Sequence, residues 1–244
     1  MKSLTIFTLA VCYSFASFSQ QSTKISMLST ALNEDRYPDI QKSPYLFDEF
    51  TPALVYDKKK NVTDEYLLNY NGYTKEFEFL YKGKTYVLDI RHYDEIVIEK
   101  YTKSADYSSK YVSESIKFVK GLDPNDQKNF QILVHADDHL SVYKKFEVKL
   151  ALSESTGNGK GLVKTEFFLN GFFYYMLKDN TVSKLKLNKK NVQANLNDPE
   201  VVSYVKKNKL KLNSEQNLKQ LLAYYTEVIL VEKSASDPVA RIKK

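Results

Sequence analysis

Apolar and polar positions alternate through the middle of the chain. Phe77, Phe79 and Tyr81 recur at every second position around Glu76 and Glu78, the period of a strand with one buried face. Lys82-Gly83-Lys84 is a turn. Beyond it Tyr86, Leu88 and Ile90 resume the alternation, so a hairpin is predicted. Shorter apolar runs at 54–56, 65–70, 95–99 and 116–119 read as further strands, and the Pro- and Asn/Asp-rich stretch 121–129 reads as a loop. A second hairpin is predicted from 130–134 and 140–152 about a turn at Ala136-Asp137-Asp138, with Val142, Phe146, Val148 and Leu150 inward. Three more strands follow near 162–169, 172–178 and 181–187, with Asn170-Gly171 and Asp179-Asn180 as the joining turns. Nine or ten antiparallel strands in one meander are too many to lie flat, which predicts a curled sheet, a sandwich or an open barrel.

After Leu187 the period changes. Asp198 with Pro199 behind it has the form of an N-cap and first helical residue, and Val201, Val202 and Val205 make a stripe that ends near Asn208. Asn213 is the expected cap of a second helix, with Gln216 three residues on, and Leu218, Leu221, Leu222, Tyr225 and Ile229 share one of its faces. The expected class is therefore α+β, mainly β. A lead-in segment (20–42) precedes an antiparallel β domain (43–187), on which a segment of two or three C-terminal helices (188–232) packs before a disordered tail (233–244).

The beginning of the chain has a different character. Met1-Lys2 supplies one positive charge, residues 4–18 carry none, and small residues precede Gln20. This is the three-part pattern of a cleavable secretory signal peptide over residues 1–19. The stretch is shorter than the ~20 apolar residues a membrane-spanning helix needs. Leu9-Ala10-Val11-Cys12 offers a rival reading as a lipidation box, but Val11 is bulky where that processing wants a small residue. Removing residues 1–19 from 244 leaves 225, and the loss of Lys2 lowers the formal charge from +6 to +5. Cys12 is the one cysteine and leaves with the leader, which excludes disulfides, thiol nucleophiles and thiolate metal sites from the mature chain. With 19 Tyr, 14 Phe and no Trp, the composition favours half-buried pleated surfaces.

The segments Ser43-Pro44-Tyr45-Leu46-Phe47-Asp48-Glu49-Phe50, Tyr70-Asn71 with Glu76-Phe77-Glu78, and Tyr204-Val205-Lys206-Lys207-Asn208-Lys209-Leu210 followed by Leu221-Leu222-Ala223-Tyr224-Tyr225 resemble a family of uncharacterised exported proteins of Gram-negative bacteria. The resemblance implies an envelope location, periplasmic or associated with the outer membrane, and a β-rich body with terminal helices. It implies no activity and no functional residues.

Candidate chemistry is sparse. His135, Asp137 and His139 bracket a predicted turn, where two imidazoles and a carboxylate, Asp137 or Asp138, would form a metal site if they converged. His92 and Asp94 lie two apart in Arg91-His92-Tyr93-Asp94-Glu95 and share a side if the segment is a strand, as an acid–base pair requires. Gly157-Asn158-Gly159-Lys160-Gly161 lacks the spacing and the following helix of a phosphate-binding loop and reads as a hairpin turn. The carboxylate pairs Asp48-Glu49, Asp94-Glu95 and Asp137-Asp138 are sequence neighbours, and strand geometry sends neighbours to opposite faces.

The expected function is a non-enzymatic binding or structural module of the envelope, with no cofactor and no nucleic acid. Its expected partner is an envelope ligand or protein, with peripheral contact to a membrane or anionic surface suited to the mild positive charge. A hydrolase built on dispersed carboxylates or on His92 with Asp94 is the alternative.

Overall fold

The structure is a computed structural model that describes residues 32, 36–37, 40, 42–103, 110–155 and 162–230. The leader (1–19), the glycine-rich turn at 157–161 and the tail at 233–244 lie outside the described residues. Among the described residues no helix is long and apolar enough to cross a membrane.

Ten strands form one antiparallel sheet: β1 (Thr51–Tyr56), β2 (Val62–Asn71), β3 (Glu76–Tyr81), β4 (Lys84–Val87), β5 (Glu95–Lys103), β6 (Lys110–Lys120), β7 (Phe130–Ala136), β8 (Leu140–Ser155), β9 (Leu162–Lys178) and β10 (Thr181–Leu185). Their order in space is β10-β9-β8-β7-β6-β5-β1-β2-β3-β4. The meander is continuous in two runs, β1 to β4 and β5 to β10. Between them the chain leaves edge strand β4, makes one turn of 3-10 helix at Ile90–His92, and returns so that β5 pairs with the far side of β1.

Local chemistry explains several joints. Lys82-Gly83 and Asp179-Asn180 take positive φ (48° and 75°, 50° and 58°), as two-residue hairpin turns that match strand twist require. Asn170-Gly171 is no such turn. Residues 162–178 are one long strand, and the dipeptide forms a β-bulge where Glu147 pairs with Gly171 and Val148 with Leu169. The pattern that suggested a hairpin is satisfied by Gly171 at φ +85° inside the ladder.

The sheet curls into a half-barrel. The β2–β3 turn reaches β8, where the Val148 N–H donates to the Gly72 carbonyl at 3.2 Å. Phe77, Phe118, Phe130 and Tyr70 fill the concave side with ring centroids 4.9–5.3 Å apart, so the curl encloses packed rings. Leu88, Ile90 and Tyr93 of the β4–β5 crossover pack into the same cluster. The convex side is not simply polar: Leu67 and Leu80 are exposed on it, while Glu78, Gln131 and Tyr143 are buried there under the segments that fold over the sheet.

Three helices cover the rest of the concave face: α1 (Lys189–Leu196), α2 (Pro199–Lys207) and α3 (Glu215–Tyr224), the last running into a π-helical turn at Tyr225–Leu230. Asp198 caps α2 as expected, although Val202 is exposed and its stripe reduces to Val201 and Val205. The cap of α3 is Ser214, whose hydroxyl accepts from the Asn217 N–H, and not Asn213. Leu218, Leu221, Leu222 and Tyr225 are buried on the side expected. They meet Val142 and Met176 of the sheet.

Both cores therefore draw on one face of β8: Val142 lies under the helices, Phe146 and Val148 under the curl. Lys144 falls between them. Its ammonium donates to Glu215 Oε2 at the start of α3 (2.6 Å) and lies over the Phe172 ring at 4.3 Å. The Tyr174 hydroxyl donates to the same oxygen at 2.9 Å. Burial works against charge on Glu215, but the bonds from Lys144 and Lys219 outweigh it and hold the carboxyl below its usual range.

The lead-in residues are tied to the opposite end of the sheet. Glu78, fully buried, accepts from Arg36 Nη1 (3.1 Å), the Tyr45 hydroxyl (2.6 Å) and Asn71 Nδ2 (2.9 Å). A buried carboxylate is tolerable only when saturated in this way.

Candidate functional site

The β4–β5 crossover is built around Asp89. Its carboxylate accepts from the Arg91 backbone N–H and grips the Arg91 guanidinium, Nε at 2.9 Å and Nη2 at 2.7 Å. This bidentate bond holds the Asp89 carboxyl down at about 2. The same fork fixes the direction of Arg91, two thirds of whose side chain is exposed.

Lys120, the last residue of β6, reaches back to this crossover. Its ammonium donates to the Ile90 carbonyl and lies over the Phe130 ring at 4.9 Å. Burial pulls its pKa below the usual lysine range. Asp94 pulls it back up, and Lys58 repels it further down. Lys58 comes from the β1–β2 turn, where the Asp57 carboxylate accepts the N–H groups of Lys59 and Asn61.

The third wall is the β6–β7 loop. Gly121 at φ +77° turns the chain out of β6, and the loop folds onto the sheet through Lys145, which donates to Asp123 (3.0 Å) and Asp126 (3.1 Å). Burial opposes the charge on Asp123, yet the Lys145 bond and the Asn125 N–H prevail and lower its pKa. Gln131, 1% exposed, donates from Nε2 to the Asp126 carbonyl. Tyr143 lies fully buried nearby, stacked on Tyr175 at 5.4 Å. Burial and the adjacent Asp123 charge raise its phenol pKa.

These three segments enclose a surface pocket of about 690 Å³, within the range of small-ligand sites. Lys58, Arg91, Lys120 and Lys128 face it against one carboxylate, Asp94, with the amides of Gln127 and Asn129 beside them. Arg91 is paired with Asp89; among the described residues Lys58, Lys120 and Lys128 have no carboxylate at ion-pair distance. The pocket can hold an anion and give hydrogen bonds to neutral polar groups around it.

The residues singled out in the sequence fall in two places. Asp94 lines this pocket. Its N–H donates to Tyr56 and its carbonyl accepts from Lys120, which locks it between β1 and β6. His92 is the exposed last residue of the 3-10 turn and is not part of the lining. The segment is thus no strand, and the alternation expected to align His92 with Asp94 does not operate.

His135, Asp137 and His139 sit at the β7–β8 turn. Asp137 Oδ1 accepts the N–H groups of His139 and Leu140, and Oδ2 meets His135 Nε2 at 2.7 Å. His139 and Asp138 are exposed beside Asp137 on a separate pocket of about 420 Å³. The carboxylate works as a turn cap, and among the described residues no three His, Cys, Asp or Glu side chains are grouped to hold a metal.

Lys58 stands in the sequence as part of the basic run Lys58-Lys59-Lys60, a candidate for binding an anionic polymer, whereas sequence reasoning missed Lys120 and Lys128. The one signal was that the 121–129 loop is preceded by Lys120 and contains Lys128. No family model, curated protein or solved structure matches the chain.

Proposed function

We propose that the protein is an exported component of the bacterial envelope that acts by binding, and that its ligand is anionic. The observation that carries this reading is the pocket in which Lys58, Arg91, Lys120 and Lys128 converge on one carboxylate. Four cations drawn from separate segments onto one concavity repel one another, as Lys58 and Lys120 do. An anion placed among them relieves that repulsion, which favours its binding. The leader-like pattern of residues 1–19 and the resemblance to exported proteins support the envelope as the place where the ligand is met.

The test is calorimetric titration of the mature chain, beginning at Gln20, with inorganic phosphate at low and at physiological ionic strength. Saturable binding that weakens with salt and is lost in Lys120→Met with Lys128→Met supports the reading. Absence of binding in the wild-type chain overturns it.

A further inference from the structure

Positive charge is concentrated in one stretch of the chain. Residues 184–211 carry eight lysines against two carboxylates, Asp198 and Glu200, a net +6 that equals the formal charge of all 244 residues. The fold brings the eight lysines to one end of the helical layer. β10 runs toward Leu185, which pairs with Tyr174, and the Tyr174 hydroxyl donates to Glu215 at the start of α3. Lys184, Lys186, Lys189 and Lys190 follow at this level, from the end of β10 into the first turn of α1. α1 ends at the far level, where the Leu196 carbonyl accepts from Lys178 Nζ at 3.3 Å and the same ammonium donates to the Tyr225 hydroxyl at 3.1 Å, beside the end of α3. α2 starts there and carries the chain back. Lys206, Lys207, Lys209 and Lys211 thus return to the start of α3, where the Lys211 carbonyl accepts from Asn217 Nδ2 at 2.8 Å.

All eight lysines are exposed, and among the described residues none of them has a carboxylate at ion-pair distance. Glu215, the carboxylate that α3 brings to this end, is shared by Lys144 and Lys219. The far end of the layer bears the opposite sign. Asp138 and Asp179 in neighbouring hairpin turns, Glu200 at the start of α2 and Glu227 beyond α3 are exposed there, while Lys178 is turned to Leu196 and Tyr225.

We propose that the lysine end is a docking face for an anionic membrane surface, on which the helical layer stands with its acidic end turned away. Lysine ammoniums on flexible stems are point charges without a fixed fork, which suits mobile lipid phosphates better than one ligand of set shape. Each lysine near such a surface raises affinity roughly fivefold. At physiological salt the attraction fades within about 8 Å, so lysines act together only when they are gathered at one end. Val202, exposed one turn before Lys206 on the same face of α2, adds an apolar contact that a bilayer interface accepts. None of the basic pocket's residues takes part, so this inference and the pocket reading stand or fall separately.

The experiment is sedimentation of the mature chain with vesicles of phosphatidylcholine alone and of phosphatidylcholine with about one quarter phosphatidylglycerol, at low and at physiological salt. One variant carries Lys184→Gln, Lys186→Gln, Lys189→Gln and Lys190→Gln, a second Lys206→Gln, Lys207→Gln, Lys209→Gln and Lys211→Gln, and a third all eight. Binding is expected only to the anionic vesicles and should weaken with salt. Each set of four should lower it by roughly tenfold or more, and the eightfold variant should not bind. Lys120→Met with Lys128→Met should leave it within about twofold. Equal binding to neutral vesicles, no binding to anionic ones, or binding that survives in the eightfold variant overturns the proposal. Loss in Lys120→Met with Lys128→Met also overturns it, because the headgroup would then be held by the pocket. If the lysine end binds polyglutamate and leaves anionic vesicles free, it is a dock for an acidic protein and the membrane is excluded.

Discussion

Gly72 and Val148 are joined by a main-chain hydrogen bond of 3.2 Å, though 75 residues separate them. The approach is possible because Gly72 has no side chain. A Cβ there would stand 2.5 Å from two ring atoms of Phe146 and 2.9 Å from Val148 Cγ2. Gly72→Ala is expected to cost about 1–3 kcal/mol through overpacking, seen as a lower urea midpoint at unchanged m-value. An unchanged midpoint would show that the curl has slack at this seam.

The bond between Lys144 and Glu215 sets the helices on the sheet. Glu215→Gln leaves the ammonium nearly buried without its counter-charge and is expected to destabilise by about 3 kcal/mol. The pH dependence follows from the lowered Glu215 pKa. A carboxyl depressed in the folded state contributes stability above its unfolded value, near 4.3, and loses it as pH falls through the folded value. Wild-type stability should thus decline below about pH 4, and Glu215→Gln should show a shallower decline. Parallel curves would remove this pair from the account.

Lys145 occupies the place between Asp123 and Asp126 that a bound cation would otherwise take. Lys145→Met is expected to leave two facing carboxylates in mutual repulsion and to release the loop that forms one wall of the basic pocket. Hydrogen exchange at the amides of residues 121–129 should speed by roughly tenfold, and affinity for phosphate should drop with it. Unchanged exchange would mean that Gln131 alone anchors the loop.

Because Lys120 titrates below an ordinary lysine, it loses its charge first as pH rises. Anion affinity should then begin to fall below the lysine range near pH 10, and in Lys120→Met the early part of that fall should vanish. Calorimetry between pH 7 and 10 reads both curves.

Two dipeptides show what the sequence could reveal. Asp179-Asn180 and Asn170-Gly171 carry the same local signal, and each tolerates positive φ. The first closes a hairpin and the second bulges a strand, because β8 continues to pair on both sides of Gly171. Local chemistry permits the kink, and long-range pairing decides its use. Helix α2 was legible since Asp198 and Pro199 are local instructions. Helix α1 was not, having only Val192 and Leu196 as a buried stripe. The return of β5 to β1 was equally hidden, for no short pattern encodes which edge a strand chooses. The basic pocket depends on that choice, since its cations arrive from the β1–β2 turn, the crossover, β6 and the β6–β7 loop. Asp94 stood out among charged neighbours, while lysines spread over 71 residues, from 58 to 128, gave no common signal.

The placement of β1 between β2 and β5 also bears on assembly. A chain emerging from its N-terminus completes β1 to β4 while one side of β1 still lacks a partner, and that edge stays open until residues 95–98 arrive. Four strands with a bare central edge invite pairing with another chain. Until the crossover is made, the segment from Thr51 to Tyr56 is therefore the place where the first half of this protein is most open to pairing with another chain.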